Sequence, residues 1–390
     1  MARVYKRGKK WAYVVYAGKN PVTGKDKQIT KSGFLTKKDA QLAAAIVERQ
    51  LHNREYLEPS NITFADLCGD WERHYQAQGA KASSVRARKI ALKHVINAIG
   101  QVPVQRITKK AYQDMIDSLA DRFSPNYVSS IHTSAHMVFT YAQETGLIRD
   151  VPSAGVRLPK RRMTVEDIEQ ESALPDKFLE REELEEFLLV AKREGLEGDL
   201  LAFTMLAYTG LRIGELAALK WSDIDFDNLT LRVARTYFNP TNSTKKFQVL
   251  PPKTKSSIRT IPIDPVLVPL LRAHQREQEQ LKKSPFYQDQ GFIFTTNEGY
   301  PKTIKHFHVR LKRLLKKTSI TKNITPHSFR HTHTSLLIEA NVHIKEIQER
   351  LGHSDIQTTM DIYAHMTKNI KRDAAQKFGD FMRDVSDKLL

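Results

Sequence analysis

Apolar and basic positions alternate along the first stretch of the chain, in "RVYKRGKKWAYVVYAG" and then "PVTGKDKQITKSG". Aromatic and β-branched residues broken by Gly and Pro predict strands joined by turns. The pattern then changes period. "TKKDAQLAAAIVERQLHNRE" reads as a helix, with Thr36 as N-cap and a run of alanines that favours helix. Residues 1–57 are therefore expected to form a small three-stranded sheet with one packed helix.

After "LEPSNITF", a linker by composition, every signal is helical. "FADLCGDWERHYQAQ", "KASSVRARKIALKHVINAIG", "TKKAYQDMIDSLADRF" and "SPNYVSSIHTSAHMVFTYAQETG" predict a four-helix domain over residues 62–158, with Gly100 a natural C-cap. Residues 159–174, mixed in charge and close to flanking prolines, read as an interdomain linker. The remainder, 175–390, reads as one large domain. "EELEEFLLVAK" carries a helical stripe of Leu184, Phe187, Leu188 and Ala191. "LTLRVARTYF", "FQVLPPKTKSSIRTIPI" and "GFIFTTNEG" read as strands, the second as strand, tight turn, strand with Lys253 and Lys255 near the tip. Helices dominate again from His306. The fold class is α+β and multidomain: a small N-terminal sheet plus helix, an all-α middle, and a mainly α C-terminal domain with a small antiparallel sheet.

Charge sharpens this picture. The 390 residues carry a net +18, and half of it lies in residues 1–56, where 13 Lys and Arg face 4 acids. A protein this basic is expected to meet a polyanion, nucleic acid first. Lys6, Arg7 and Lys9 on the sheet, and Lys81, Arg86 and Lys93 on the second helix of the middle domain, are the candidate phosphate contacts. A plain solvated basic face is the competing reading of both sets. With Cys68 the only cysteine, neither a disulfide framework nor a cysteine-rich zinc site is expected. The longest mainly apolar run, "LLAFTMLAYTGL", has 12 residues, short of the roughly 20 that span a bilayer. The N-terminus has no apolar run of signal-peptide type. A soluble, cytoplasmic protein with no membrane partner is expected.

"TPHSFRHTHTSLL" concentrates three histidines and an arginine. Thr325 suits an N-cap and Pro326 a first helical position. On a helical wheel Phe329 and Leu336 define the apolar face, His333 lies within about 50° of it, and His327 lies about 120° from His333. The three histidines thus do not converge on one metal from this helix. His327 and His331 share a face but lack a third ligand and an intervening Glu. No metal is expected. His327 and Arg330, at i and i+3 in the first helical turn, can grip an anion or simply pair with each other. His333 reads as a satisfied core histidine and His331 as a structural hydrogen bonder.

Partners for that pair lie elsewhere in the chain. Arg212 follows a Gly turn in "YTGLRIGELAALK", with Glu215 three residues on to orient it. His353 follows Gly352 in "ERLGHSDIQTTMDIYAHM", and Tyr363 comes ten residues later. The order "TGLRIGEL", a lysine hairpin, "HSFRHT", "LGHS" and "TTMDIYAH" resembles the tyrosine recombinase (phage integrase) family, in particular integrases of temperate phages and integrative conjugative elements. The resemblance implies site-specific DNA cutting and rejoining through a 3′-phosphotyrosyl intermediate, with no cofactor. It makes Tyr363 the nucleophile, and Arg212 and Arg330 the ligands of the non-bridging oxygens. Lys253 is the acid for the leaving 5′-oxygen, and His327 and His353 are phosphate and proton-transfer groups. Glu215 and His331 support them. Lys255 competes with Lys253 for its role. The implied partners are double-stranded DNA with core-type and arm-type sites, three further copies in a homotetramer, an excision factor and a DNA-bending protein. A type IB topoisomerase, a chromosome-dimer resolving recombinase and a catalytically inactive DNA-binding regulator are the alternatives. The tail, with Phe378, Phe381 and Met382 at helical spacing, is expected to pack on a neighbouring subunit or on its own domain.

Overall fold

The computed structural model describes residues 2–19, 23–53, 55–159, 178–241, 243–252, 257–352 and 360. Lys253, Lys255, His353, Tyr363, the tail apolar residues and nearly all of the expected linker lie outside the described residues. The chain divides into two compact units, Met1–Arg162 and Met163–Leu390.

In the first unit, β1 (Arg3–Arg7), β2 (Lys10–Lys19) and β3 (Asp26–Phe34) form an antiparallel sheet in that order. Arg7 pairs with Lys10, and Gly8, at φ +64°, supplies the positive angle that a two-residue hairpin turn needs. Thr36 caps α1 (Lys37–His52) by accepting from the Asp39 N–H at 3.1 Å. Successive β2 side chains point to opposite faces. Tyr13 and Val15 pack against Ala44 and Val47 of α1. Arg3, Tyr5, Val14, Tyr16 and Gln28 line a shallow concavity in the same unit.

Four helices follow: α2 (Phe64–Ala77), α3 (Ala82–Ile99), α4 (Lys109–Ala120) and α5 (Pro125–Glu144). Thr63 and Asp66 form a capping box on α2, Thr108 caps α4, and Pro125 opens α5. Phe64, Leu92, Tyr112, Ile116, Ile131 and Phe139 fill the core between them. Gly100 does cap α3, but at φ −58°, so it is right-handed rather than the left-handed C-cap expected of a glycine.

The second unit is built on α7 (Asp199–Thr209), which is buried nearly all round, as its uniform apolar sequence requires. Phe203 of α7 meets Phe187 of α6 (Arg181–Glu194) and Phe329 of α11 (Ser328–Glu339), with ring centroids 5.3–5.6 Å apart. The other elements are α8 (Ile213–Ala217), α9 (Leu267–Lys282), α10 (Ile304–Leu315) and α12 (Ile344–Leu351). Two small antiparallel sheets join them. One has the order β4 (Ile224–Asp225), β5 (Thr230–Val233), β8 (Arg259–Pro262); the other pairs β6 (Thr236–Phe238) with β7 (Gln248–Leu250).

Three sequence expectations change here. β7 and β8 do not form a hairpin with each other. Each pairs backwards, Val249 with Tyr237 and Ile261 with Leu231, so both strands lie on the returning arm of a longer hairpin. "GFIFTTNEG" is not a strand among the described residues and makes only isolated bridges at Phe292 and Thr295. Side chains take the place of a neighbouring strand: His274 Nε2 bonds the Ile293 carbonyl at 2.9 Å and Gln278 donates to that of Phe292 at 2.9 Å. α11 starts at Ser328, with His327 as N-cap in helical geometry. Thr325 and Pro326 lie in the preceding turn, where Thr325 N–H donates to Ser328 Oγ at 3.1 Å.

Candidate active site

The site grows from the C-terminus of α7. A helix ends with carbonyls that lack intrahelical donors. Here side chains from α11 and α12 take them. His333 Nδ1 bonds the Ala207 carbonyl at 2.8 Å, Arg350 Nη2 donates to Tyr208 at 3.1 Å, and Arg330 Nη1 donates to Gly210 at 2.8 Å. The two cations also complement the negative end of the helix dipole. Gly210 sits at φ +63°, and a Cβ there would lie 2.7 Å from the His333 ring and from Leu351. Only glycine fits between these neighbours, and the turn it makes returns Leu211 to the core and leaves Arg212 partly exposed.

Arg212 is the N-cap of α8. Its backbone N–H donates to Glu215 Oε2 at 3.0 Å and its Nη1 to Oε1 at 2.8 Å. The carboxylate is buried at 4% exposure while the arginine side chain is 39% exposed, so the arginine is anchored through its backbone N–H and Nη1 while much of the side chain stays open. Arg259 of β8 approaches the same carboxylate from the other side, with Nη2 to Oε2 at 2.9 Å and Nη1 to Oε1 at 3.3 Å. Burial alone would raise the Glu215 pKa, but the hydrogen bond and charge of Arg259, then those of Arg212, hold it below the ordinary carboxylate value.

Arg330 is 2% exposed, and its Nη2 donates to the Leu351 carbonyl at 2.6 Å. Burial, then the nearby charge of Arg212, push its pKa down to about 9. It stays charged at neutral pH. His327 is lowered below its ordinary value by partial burial and by Arg330 and Arg212. It is therefore neutral at pH 7 before an anion arrives. Its ring lies edge-on to His331 at 4.8 Å. His333 is buried, accepts from Arg350 Nε at 3.0 Å on Nε2, and has its pKa depressed to about 4, mainly by burial. It is part of the scaffold, as its position on the wheel suggests.

The structure thus gathers Arg212, Glu215, His327, Arg330 and His331 around the α7–α8 junction. Sequence reasoning overlooked Arg259 and Arg350. Arg259 left a readable trace: it shares the inward period-2 register of Ile261 and Ile263, where a charge must find a buried partner. In the first unit Lys6, Arg7, Lys9, Arg86 and Lys93 are exposed, and Lys81 is the N-cap residue of α3. Two basic neighbours on α3 are engaged internally, Arg88 with Ser134 and Lys89 with Glu72.

Family models match along the chain: an arm DNA-binding domain over residues 3–51, a phage integrase N-terminal SAM-like domain over 63–120, and the phage integrase family over 177–369. The integrase of Staphylococcus phage L54a is 31% identical over 344 residues, covering 85% of this chain and 96% of the relative. The ICEBs1 integrase of Bacillus subtilis (strain 168) is 28% identical, covering 94% of this chain and 95% of the relative. The Tn1549 transposon integrase, solved in complex with a circular intermediate DNA, shares the fold with a TM-score of 0.62 at 23% identity, over 80% of this chain and 99% of the other. The chain belongs to the phage integrase family, and it is a tyrosine-type site-specific recombinase of the integrase kind.

Proposed function

We propose that the chain integrates and excises a mobile element by cutting and rejoining double-stranded DNA through Tyr363. The Tyr363 hydroxyl gives its proton to His353 or His327 as its oxygen bonds to a backbone phosphorus. The bond from phosphorus to the 5′-oxygen breaks, and Lys253 delivers a proton to that oxygen. A 3′-phosphotyrosyl link remains and conserves the ester, so rejoining needs no nucleotide. Arg212 and Arg330 bind the non-bridging oxygens, where charge grows in the transition state. His327 and His353 hydrogen-bond the phosphate or pass protons. His331 supports His327 from beside it. The observation that carries this reading is the convergence of Arg212, His327 and Arg330 at one helix junction, with both arginines anchored by the surrounding scaffold.

The proposed division is 1–57 for arm-type sites, 62–158 for core-type sites, 159–174 as linker, and 175–390 for catalysis. Lys6, Arg7 and Lys9 with the exposed sheet residues, and Lys81, Arg86 and Lys93 on α3, are the proposed backbone contacts. Two sites of two strands each need four tyrosines, so a homotetramer on DNA is the working assembly. An excision factor and a DNA-bending protein are its proposed accessory partners, and the host cytoplasm is where it works. Strand exchange distinguishes this from relaxation alone. A supercoiled plasmid bearing one site and a linear duplex bearing its partner should be joined into one product. Relaxation of the plasmid with no joint product would favour the topoisomerase reading.

A further inference from the structure

Arg259 belongs to none of the roles assigned so far, yet its guanidinium is spent on the site. It is 9% exposed. Besides both Glu215 oxygens, it bonds the Arg350 carbonyl through Nε at 2.7 Å and the Ser257 carbonyl through Nη1 at 3.2 Å. These contacts fix it from three directions. Glu215 in turn receives four N–H donors, two from Arg212 and two from Arg259.

A carboxylate beside a single arginine closes on it as a two-pronged pair, and the two charges cancel. That does not happen here. Arg259 fills the remaining lone pairs of Glu215, so Arg212 spends only Nη1 of its side chain on the carboxylate. Its Nη2 and Nε have no protein acceptor among the described residues. We propose that Arg259 is a positioning residue for DNA cleavage: it neutralises Glu215, which leaves Arg212 its net charge and its open N–H groups for the scissile phosphate. The bond to the Arg350 carbonyl ties the same guanidinium to the last turn of α12, beside Leu351, whose carbonyl holds Arg330. One side chain thereby sets the spacing of both phosphate-binding arginines. The proposal rests on the reading that Arg212 binds the scissile phosphate.

The test is single-turnover cleavage of a nicked suicide duplex at saturating protein, with DNA affinity and thermal melting measured alongside. Arg259→Met should bind within about threefold of wild type and cleave about a hundredfold more slowly, the scale of losing one oriented transition-state donor. Adding Glu215→Gln removes the uncancelled charge and should restore cleavage about tenfold, a coupling that simple loss of packing would not produce. A double variant no faster than Arg259→Met overturns the proposal, as does Arg259→Met at the wild-type rate. If melting shows Arg259→Met to be unfolded, Arg259→Lys replaces it. Lysine keeps the charge that neutralises Glu215 but loses the fork and the bond to the Arg350 carbonyl, so cleavage should fall about tenfold at unchanged affinity, whereas cleavage at the wild-type rate overturns the proposal. A wild-type protein that forms no adduct overturns the recombinase reading itself, a result separate from any difference among variants.

Discussion

Gly210 and His333 are where single residues decide most. Both sit at the α7 terminus, and each has one conformation or one protonation state that fits. Gly210→Ala forces a left-handed angle on a residue with a Cβ and drives that Cβ to 2.7 Å from His333 and Leu351. The expected cost is about 2–4 kcal/mol of stability by chemical denaturation, from strain and overpacking together. His333 gives a pH prediction. Its folded pKa of about 4 lies below the ordinary 6.5, so the unfolded chain binds the proton more readily. The stability contribution is complete above pH 6.5 and is lost as pH falls from there through about 4. At most about 3 kcal/mol rides on it. Melting at pH 7.5 and pH 5 should show the loss in wild type and a smaller one in His333→Gln; equal losses would contradict the assignment. The wheel argument for "TPHSFRHTHTSLL" separated His333 from His327, and the structure does the same. It could not show that Nε2 of His333 accepts from Arg350, because that residue arrives from another helix.

At the scale of elements, helices were the more legible. Thr36, Thr63 and Thr108 each cap a helix whose apolar period is visible in the chain. Strand pairing was less so, because β5 through β8 are three or four residues each and their partners are set by tertiary packing. "FIF" looks like a strand because it is apolar, but the carbonyls of Phe292 and Ile293 are bonded by Gln278 and His274 from α9. No local pattern announces that arrangement. The α3 face makes a prediction of its own. If Arg86 and Lys93 contact phosphates, alanine at each should weaken binding to all duplexes alike. Each should also lower the slope of log affinity against log salt by about one. Fluorescence anisotropy across a salt series measures this, and an unchanged slope would mark these residues as an ordinary solvated face.

At the scale of the whole molecule, charge and period together announce a basic sheet and a helical bundle in the first unit and a mixed helix-and-sheet second unit. No described helix is long and apolar enough to cross a membrane. Separate binding of arm and core sites predicts that a protein lacking residues 1–57 loses affinity for arm duplexes yet still cleaves a core-only suicide substrate. Loss of core cleavage in that truncation would show that the sheet serves catalysis as well. The tail, for which packing on a neighbour was expected, lies outside the described residues. A chain ending at Asn369 should fail to assemble on DNA, and one that assembles and recombines would refute packing between subunits. The central claim is that Tyr363 carries the DNA without a metal. The direct measurement is a nicked suicide duplex incubated with wild type and Tyr363→Phe in the presence of a chelator, followed by denaturing electrophoresis. The account predicts a covalent protein–DNA band with wild type and none with Tyr363→Phe. A band that persists in Tyr363→Phe, or one that the chelator abolishes in wild type, would contradict it.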